Sequence, residues 1–129
     1  QEKQLAQAAA GLLDELRILE RRDALASDLS GGQMKLLELG RTVMGEPQMM
    51  LLDEPTAGVA PALAYAIFEE IERLRRTRNL TFLIVEHRLE ILFDFVDLVY
   101  VMHMGQVIAH GTPAQIAADP LVREVYFGD

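Results

Sequence analysis

Apolar residues recur at helical spacing from the start of the chain, where Leu5, Leu12, Leu16 and Leu19 predict a helix from Leu5 to about Arg22. Turn-forming residues in DALASDLSGGQ, Asp23 to Gln33, break that pattern. A second helix is expected from about Gly32, with Leu36, Leu39 and Val43 on one stripe and its end at Gly45-Glu46-Pro47. MMLLD, Met49 to Asp53, is a short continuous apolar run closed by a carboxylate, the pattern of a fully buried strand. EPTAGVAP is loop, and Pro61 suits the first position of a helix in which Leu63, Ile67, Ile71 and Leu74 share a face, to about Arg78. LTFLIVEH predicts a second buried strand, Leu89 to Val96 a short helix, and LVYVMHMGQVIAHG a hairpin turning at Gly105. One or two small helices are expected in the last segment, TPAQIAADPLVREVYFGD.

Strands alternating with helices predict an α/β fold with a partly parallel sheet. In such sheets the ligand site lies outside the carboxyl ends of the strands. Asp53, Glu54, Glu86 and His87 all fall there, whereas His103 and His110 belong to the hairpin and receive no role.

Composition narrows the function classes. The 129 residues are half hydrophobic and one quarter charged, the profile of a globular chain. With no cysteine there is neither a disulfide framework nor a thiolate metal site. The net charge of -8 argues against a nucleic-acid groove, which shows as a basic patch. The one basic cluster, Arg73, Arg75, Arg76 and Arg78, reads as a solvated helix end complementing the dipole, with a partner or lipid contact as the alternative. The first residues lack the basic start and apolar run of a signal peptide, and no apolar run approaches the roughly 20 residues of a membrane span.

Three short stretches carry candidate chemistry. In LSGGQ, Leu29 to Gln33, a serine and two glycines before a helix expose N–H groups to an anion. A plain helix cap is the alternative for that turn. Asp53 at a strand end can orient Mg²⁺ or its waters, and the adjacent Glu54 can polarise a water. Strand-end acids can also simply cap the next loop. His87 can hydrogen-bond a phosphate oxygen, or be an ordinary loop histidine.

In this order and spacing the stretches resemble the second half of the nucleotide-binding subunit of ABC transporters, over most of the chain from about Leu12. LSGGQ matches the family signature, MMLLDEP matches Walker B plus the catalytic glutamate, and His87 matches the switch histidine. LLDEPTAGVAP, IVEHRLEI and the ending HGTPAQIAADPLVREVYFGD are most similar to subunits that energise branched-chain amino acid uptake.

The resemblance implies a partial P-loop-NTPase-like core with a mostly parallel sheet. Residues 1–46 would be a partial helical signature subdomain and residues 47–129 the second half of the core. It implies ATP hydrolysis with Mg²⁺, two subunits packed head to tail, transmembrane permease subunits as partners, no nucleic acid, and a cytoplasmic location on the inner face of the membrane. Leu29, Ser30, Gly31, Gly32 and Gln33 would serve ATP held by the partner subunit, Asp53 the metal through water, and Glu54 and His87 the catalytic step.

The chain departs from the family in three respects. G-x-x-x-x-G-K-[ST] does not occur: Lys3 precedes Gln4 and Lys35 precedes Leu36. The P-loop is expected upstream of Gln1, and the chain alone is expected to be inactive. Many members carry an aspartate near the position of Ala60, and an acidic or neutral residue at that of Arg88. Two other readings stand beside this one: a non-enzymatic partner supplying the signature in trans, and an ABC-type ATPase acting on DNA or ribosomes.

Overall fold

A computed structural model describes residues 1–128. It divides into a unit from Gln1 to His87 and a second from Arg88 onward, each described by itself.

In the first unit, helix α1 (Glu2–Glu15) is shorter than its apolar spacing predicts. It ends in a Schellman motif: Arg17 N–H donates to the Asp14 carbonyl and Ile18 N–H to the Leu13 carbonyl, both at 2.9 Å. Arg17 takes the left-handed conformation (φ 58°) usually given to glycine there. The turn buries Ile18, and a single 3₁₀ turn, Leu19–Arg21, replaces the rest of the expected helix. Burial of Ile18 against the helix end thus overrides a periodicity that would continue.

Helix α2 (Gly31–Val43) follows, capped by Ser30. Strand β1 (Met49–Asp53) leads through a loop into helix α3 (Pro61–Arg78), which buries Ala64, Ile67, Phe68, Ile71 and Leu74. Pro61 is the first helical residue, and the preceding cap, Ala60, makes no side-chain capping bond. The chain returns in strand β2 (Thr81–Val85), parallel to β1, with Leu51 opposite Leu83 and Asp53 opposite Val85.

The two strands are not the fully buried runs their composition predicts. Met50 is 1% exposed, while its neighbour Leu51 is 71% exposed. Met49, Leu83 and Val85 are exposed with Leu51. Among the described residues β1 pairs only with β2.

The arginines of α3 are not a bare basic end. Glu72 pairs with Arg75 at 2.7 Å and Arg76 at 2.8 Å, Arg73 pairs with Glu70, and Arg78 reaches Glu15 of α1 at 2.6 Å. The Arg75 hydrogen bond, reinforced by Arg76, holds the Glu72 carboxyl down to about 2. Burial pushes Glu15 up, but hydrogen bonds from Arg78 and Thr77 outweigh it and leave it below the usual range. Each of these arginines is paired with a glutamate, while Arg76 stays largely open to solvent.

The second unit opens with helix α4 (Leu89–Leu92), half the expected length. An antiparallel hairpin of β3 (Val99–His103) and β4 (Gln106–Gly111) turns at Met104-Gly105, as the sequence predicts. Helices α5 (Pro113–Ala118) and α6 (Pro120–Val122) close it, and Ile116 and Val122 pack with Val99 and Val101. His110 stacks on Tyr100 with ring centroids 5.6 Å apart. Among the described residues, no helix is long and apolar enough to cross a membrane.

Candidate functional site

Parallel pairing brings the ends of β1 and β2 level, and everything beyond Asp53 and Val85 therefore emerges on one edge. The Glu54 N–H donates to the Val85 carbonyl at 2.8 Å, extending the ladder by one rung. Glu54 itself is left-handed (φ 46°), and the Ala57 N–H closes a turn onto its carbonyl at 3.0 Å. A non-glycine residue there costs about 1 kcal/mol and persists because the ladder and the turn hold both sides of it. The Glu54 side chain extends from this turn toward His87. Its Oε1 lies 3.6 Å from His87 Nδ1, beyond a good hydrogen bond but close enough for a charged imidazole to feel it. Both side chains are open to solvent.

Glu86 differs from its neighbours, with a side chain only 1% exposed. Its Oε1 accepts from the Thr56 N–H at 3.1 Å and from the Thr56 hydroxyl, and its Oε2 accepts from the His87 N–H at 3.1 Å. Thr56 is fully buried. Sequence reasoning set Glu86 at the strand end without a role and passed over Thr56. The available signal was a carboxylate between an apolar strand and a histidine, where burial demands dedicated donors.

Asp53 is exposed at the last position of β1. It shares an open cleft of about 180 Å³ with Lys35, Glu38 and Thr42 of α2 and Pro55 of the loop. That volume is below the roughly 300 Å³ of small ligand pockets, so the cleft does not enclose a nucleotide. Among the described residues, no three histidines, aspartates or glutamates converge as a metal cage. Mg²⁺ does not require one, being held by one or two carboxylates with phosphates and waters, and Asp53 suits that kind of site.

The signature turn forms a second group at the amino end of α2. Ser30 Oγ accepts from the Gln33 N–H at 3.2 Å, and Gln33 Oε1 accepts from the Ser30 N–H at 3.0 Å. This is a reciprocal capping box. It leaves the Ser30 hydroxyl proton free to be donated, because Oγ acts there as acceptor. Gly31 and Gly32 are first-turn donors to which the helix offers no acceptor. A Cβ on Gly31 would meet nothing within 4 Å, whereas one on Gly32 would come 2.7 Å from Leu63 Cδ1 of α3. Gly31 thus borders open space, Gly32 lets α2 and α3 close together, and Leu29 sits half-buried before the cap.

Comparison with known proteins agrees with this architecture. A family model described as "ABC transporter" matches residues 1–57, and one described as "Branched-chain amino acid ATP-binding cassette transporter" matches residues 106–129. A crystal structure of the ADP conformation of an ATP-binding cassette of an ABC transporter superposes with a TM-score of 0.91 at 43% identity, over 100% of this chain and 52% of that one. Shared motifs and a shared backbone match about half of an ATP-binding cassette, and the chain belongs to the ABC transporter family.

Its curated relatives narrow the resemblance. The probable branched-chain amino acid transport ATP-binding protein LivG of Methanocaldococcus jannaschii is 43% identical over 132 residues, covering 99% of this chain and 51% of the relative. The high-affinity branched-chain amino acid transport ATP-binding protein LivG of Escherichia coli (strain K12) is 36% identical, covering 94% of this chain and 48% of the relative. The chain spans about half the length of the curated relatives it matches.

Proposed function

We propose that this chain is the C-terminal portion of an ATP hydrolase that works at a cassette dimer interface and drives solute uptake, with branched-chain amino acids as the cargo. In this reading residues 1–46 are the signature subdomain and 47–129 the second half of the core. The carrying observation is the pairing of Glu54 with His87 at 3.6 Å, beside Asp53, on the shared carboxyl edge of β1 and β2.

Glu54 orients and polarises the attacking water, and His87 donates a hydrogen bond to the terminal phosphate. Asp53 holds Mg²⁺ through water; the ion, when bound, neutralises charge on the phosphates. Ser30, Gly31 and Gly32, with Leu29 and Gln33 shaping the turn, contact a phosphate presented by a second cassette. The phosphates of this chain's own site require a P-loop that these residues do not include. The partners are that second cassette and the permease subunits, which hold the assembly on the inner face of the membrane. The exposed apolar face of β1 and β2 and the half-length match to relatives support a chain that works as part of a larger cassette.

Phosphate release from Mg²⁺-ATP tests this reading. The chain alone should show none above background. A complete cassette including it should turn over, and Glu54→Gln should lower that turnover at least about a hundredfold. A complete cassette as active with Glu54→Gln as without it overturns the assignment of Glu54. Turnover by the chain alone, lost in Glu54→Gln, overturns the dependence on a P-loop.

A further inference from the structure

Glu54 and His87 lie just past the ends of two different strands, and a 3.6 Å approach between them requires that the two strand ends be locked to each other. The ladder does this only up to the rung from Glu54 N–H to the Val85 carbonyl. Beyond it both chains leave the sheet, and a backbone without ladder partners is free to splay.

Glu86 is the group that bridges this gap. One carboxyl oxygen takes both donors of Thr56, two residues past Glu54, and the other takes the amide of His87. The loop carrying Glu54 and the strand end carrying His87 are therefore tied to one buried carboxyl. Three donors on a group 1% exposed to solvent make a rigid clamp, because water cannot replace a lost bond. Thr56 contributes backbone and hydroxyl together, so the loop can neither slide nor twist without breaking a buried contact. The same turn holds Glu54 left-handed through Ala57 N–H to the Glu54 carbonyl.

We infer that Glu86 is a positioning residue: it touches neither nucleotide nor water, and it sets the Glu54–His87 distance by holding Thr56 and His87 at once. This inference rests on the proposed roles of Glu54 and His87. An error of about 1 Å in such a pair costs on the order of a hundredfold in rate, with little effect on binding made elsewhere.

Two variants test it. Glu86→Gln keeps the size but turns one acceptor into a donor, so the amide can satisfy Thr56 or His87 but not both. Thr56→Val replaces the hydroxyl with a methyl and keeps the Thr56 backbone donor. In the complete cassette, Glu86→Gln should lower kcat for ATP about 10- to 100-fold, and Thr56→Val about threefold to tenfold. KM should stay within about twofold in both. A merely structural Glu86 would lower the melting temperature and leave kcat per folded molecule unchanged, and that result overturns the inference. Should Glu86→Gln not fold, Thr56→Val decides by the same kcat criterion.

NMR of the 129-residue chain separates this inference from the functional reading. The Glu54 and His87 signals should be single in the native chain and should broaden or multiply in either variant. Signals that stay single and unshifted in both overturn the clamp whether or not the cassette hydrolyses ATP. An inert complete native cassette overturns the hydrolase reading, and the NMR result then decides the clamp alone.

Discussion

Gly31 and Gly32 stand side by side in one turn and answer to different constraints. Gly32 is buried, and a methyl there would meet the Leu63 side chain at 2.7 Å. Gly31 is exposed, on the helix, with open space where its Cβ would be. Gly31→Ala should therefore raise stability by up to about 0.5–1 kcal/mol, since alanine loses less backbone entropy on entering a helix. Urea denaturation of the chain would register the gain, and a loss would show that the open space is needed by the fold itself. With folding intact, any defect of Gly31→Ala in a complete cassette reports on what approaches the helix end. The signature motif is legible as a string, but which glycine packs and which leaves room depends on Leu63, thirty-one positions away from Gly32.

At the scale of elements, α3 joins the two strands that carry the site, and its ends are made differently. Its carboxyl end turns on Asn79 in the left-handed conformation, a residue that tolerates it. Its amino end begins with Pro61 but is capped by Ala60, which has extended geometry (φ -64°, ψ 153°) and no side-chain oxygen to offer. An acceptor there satisfies a first-turn N–H and favours the dipole. Ala60→Asp should stabilise the chain by about 1 kcal/mol, seen as a higher urea midpoint with an unchanged slope. An unchanged midpoint would mean that solvent already serves those amides equally well. Helix α3 was legible from its apolar stripe and its proline, because both act within the helix. The end of α1 was not, because the Schellman turn at Arg17 is held by burial of Ile18.

Across the whole molecule, Met49, Leu51, Leu83 and Val85 form one exposed apolar face on a sheet whose opposite side buries Met50. Such a face promotes association in a chain studied alone. Leu51→Lys should cost the isolated chain less than about 0.5 kcal/mol, the usual scale for a surface change. Light scattering should show weaker self-association. In a complete cassette the same substitution should cost about 3 kcal/mol or more, because there the charge must be buried. Equal and large costs in both would show that the face is already covered. Equal and small costs would show that a larger cassette leaves it open.

The sequence by itself determined the kind of elements, their order, the turn at Gly105 and the strand-end position of Asp53, Glu54, Glu86 and His87. Those features are local: apolar period, proline and glycine chemistry, and a carboxylate closing an apolar run act within a few residues. It also carried the family resemblance, since LSGGQ and MMLLDEP are contiguous strings. Tertiary structure alone decided that the strands bury one face, that the α3 arginines pair with Glu15, Glu70 and Glu72, and that Glu54 meets His87. It also decided that Glu86 disappears from solvent to hold Thr56, thirty residues earlier in the chain. Each of these depends on which distant segments are brought together, and a hydrogen bond or a buried face exists only once its partner has arrived.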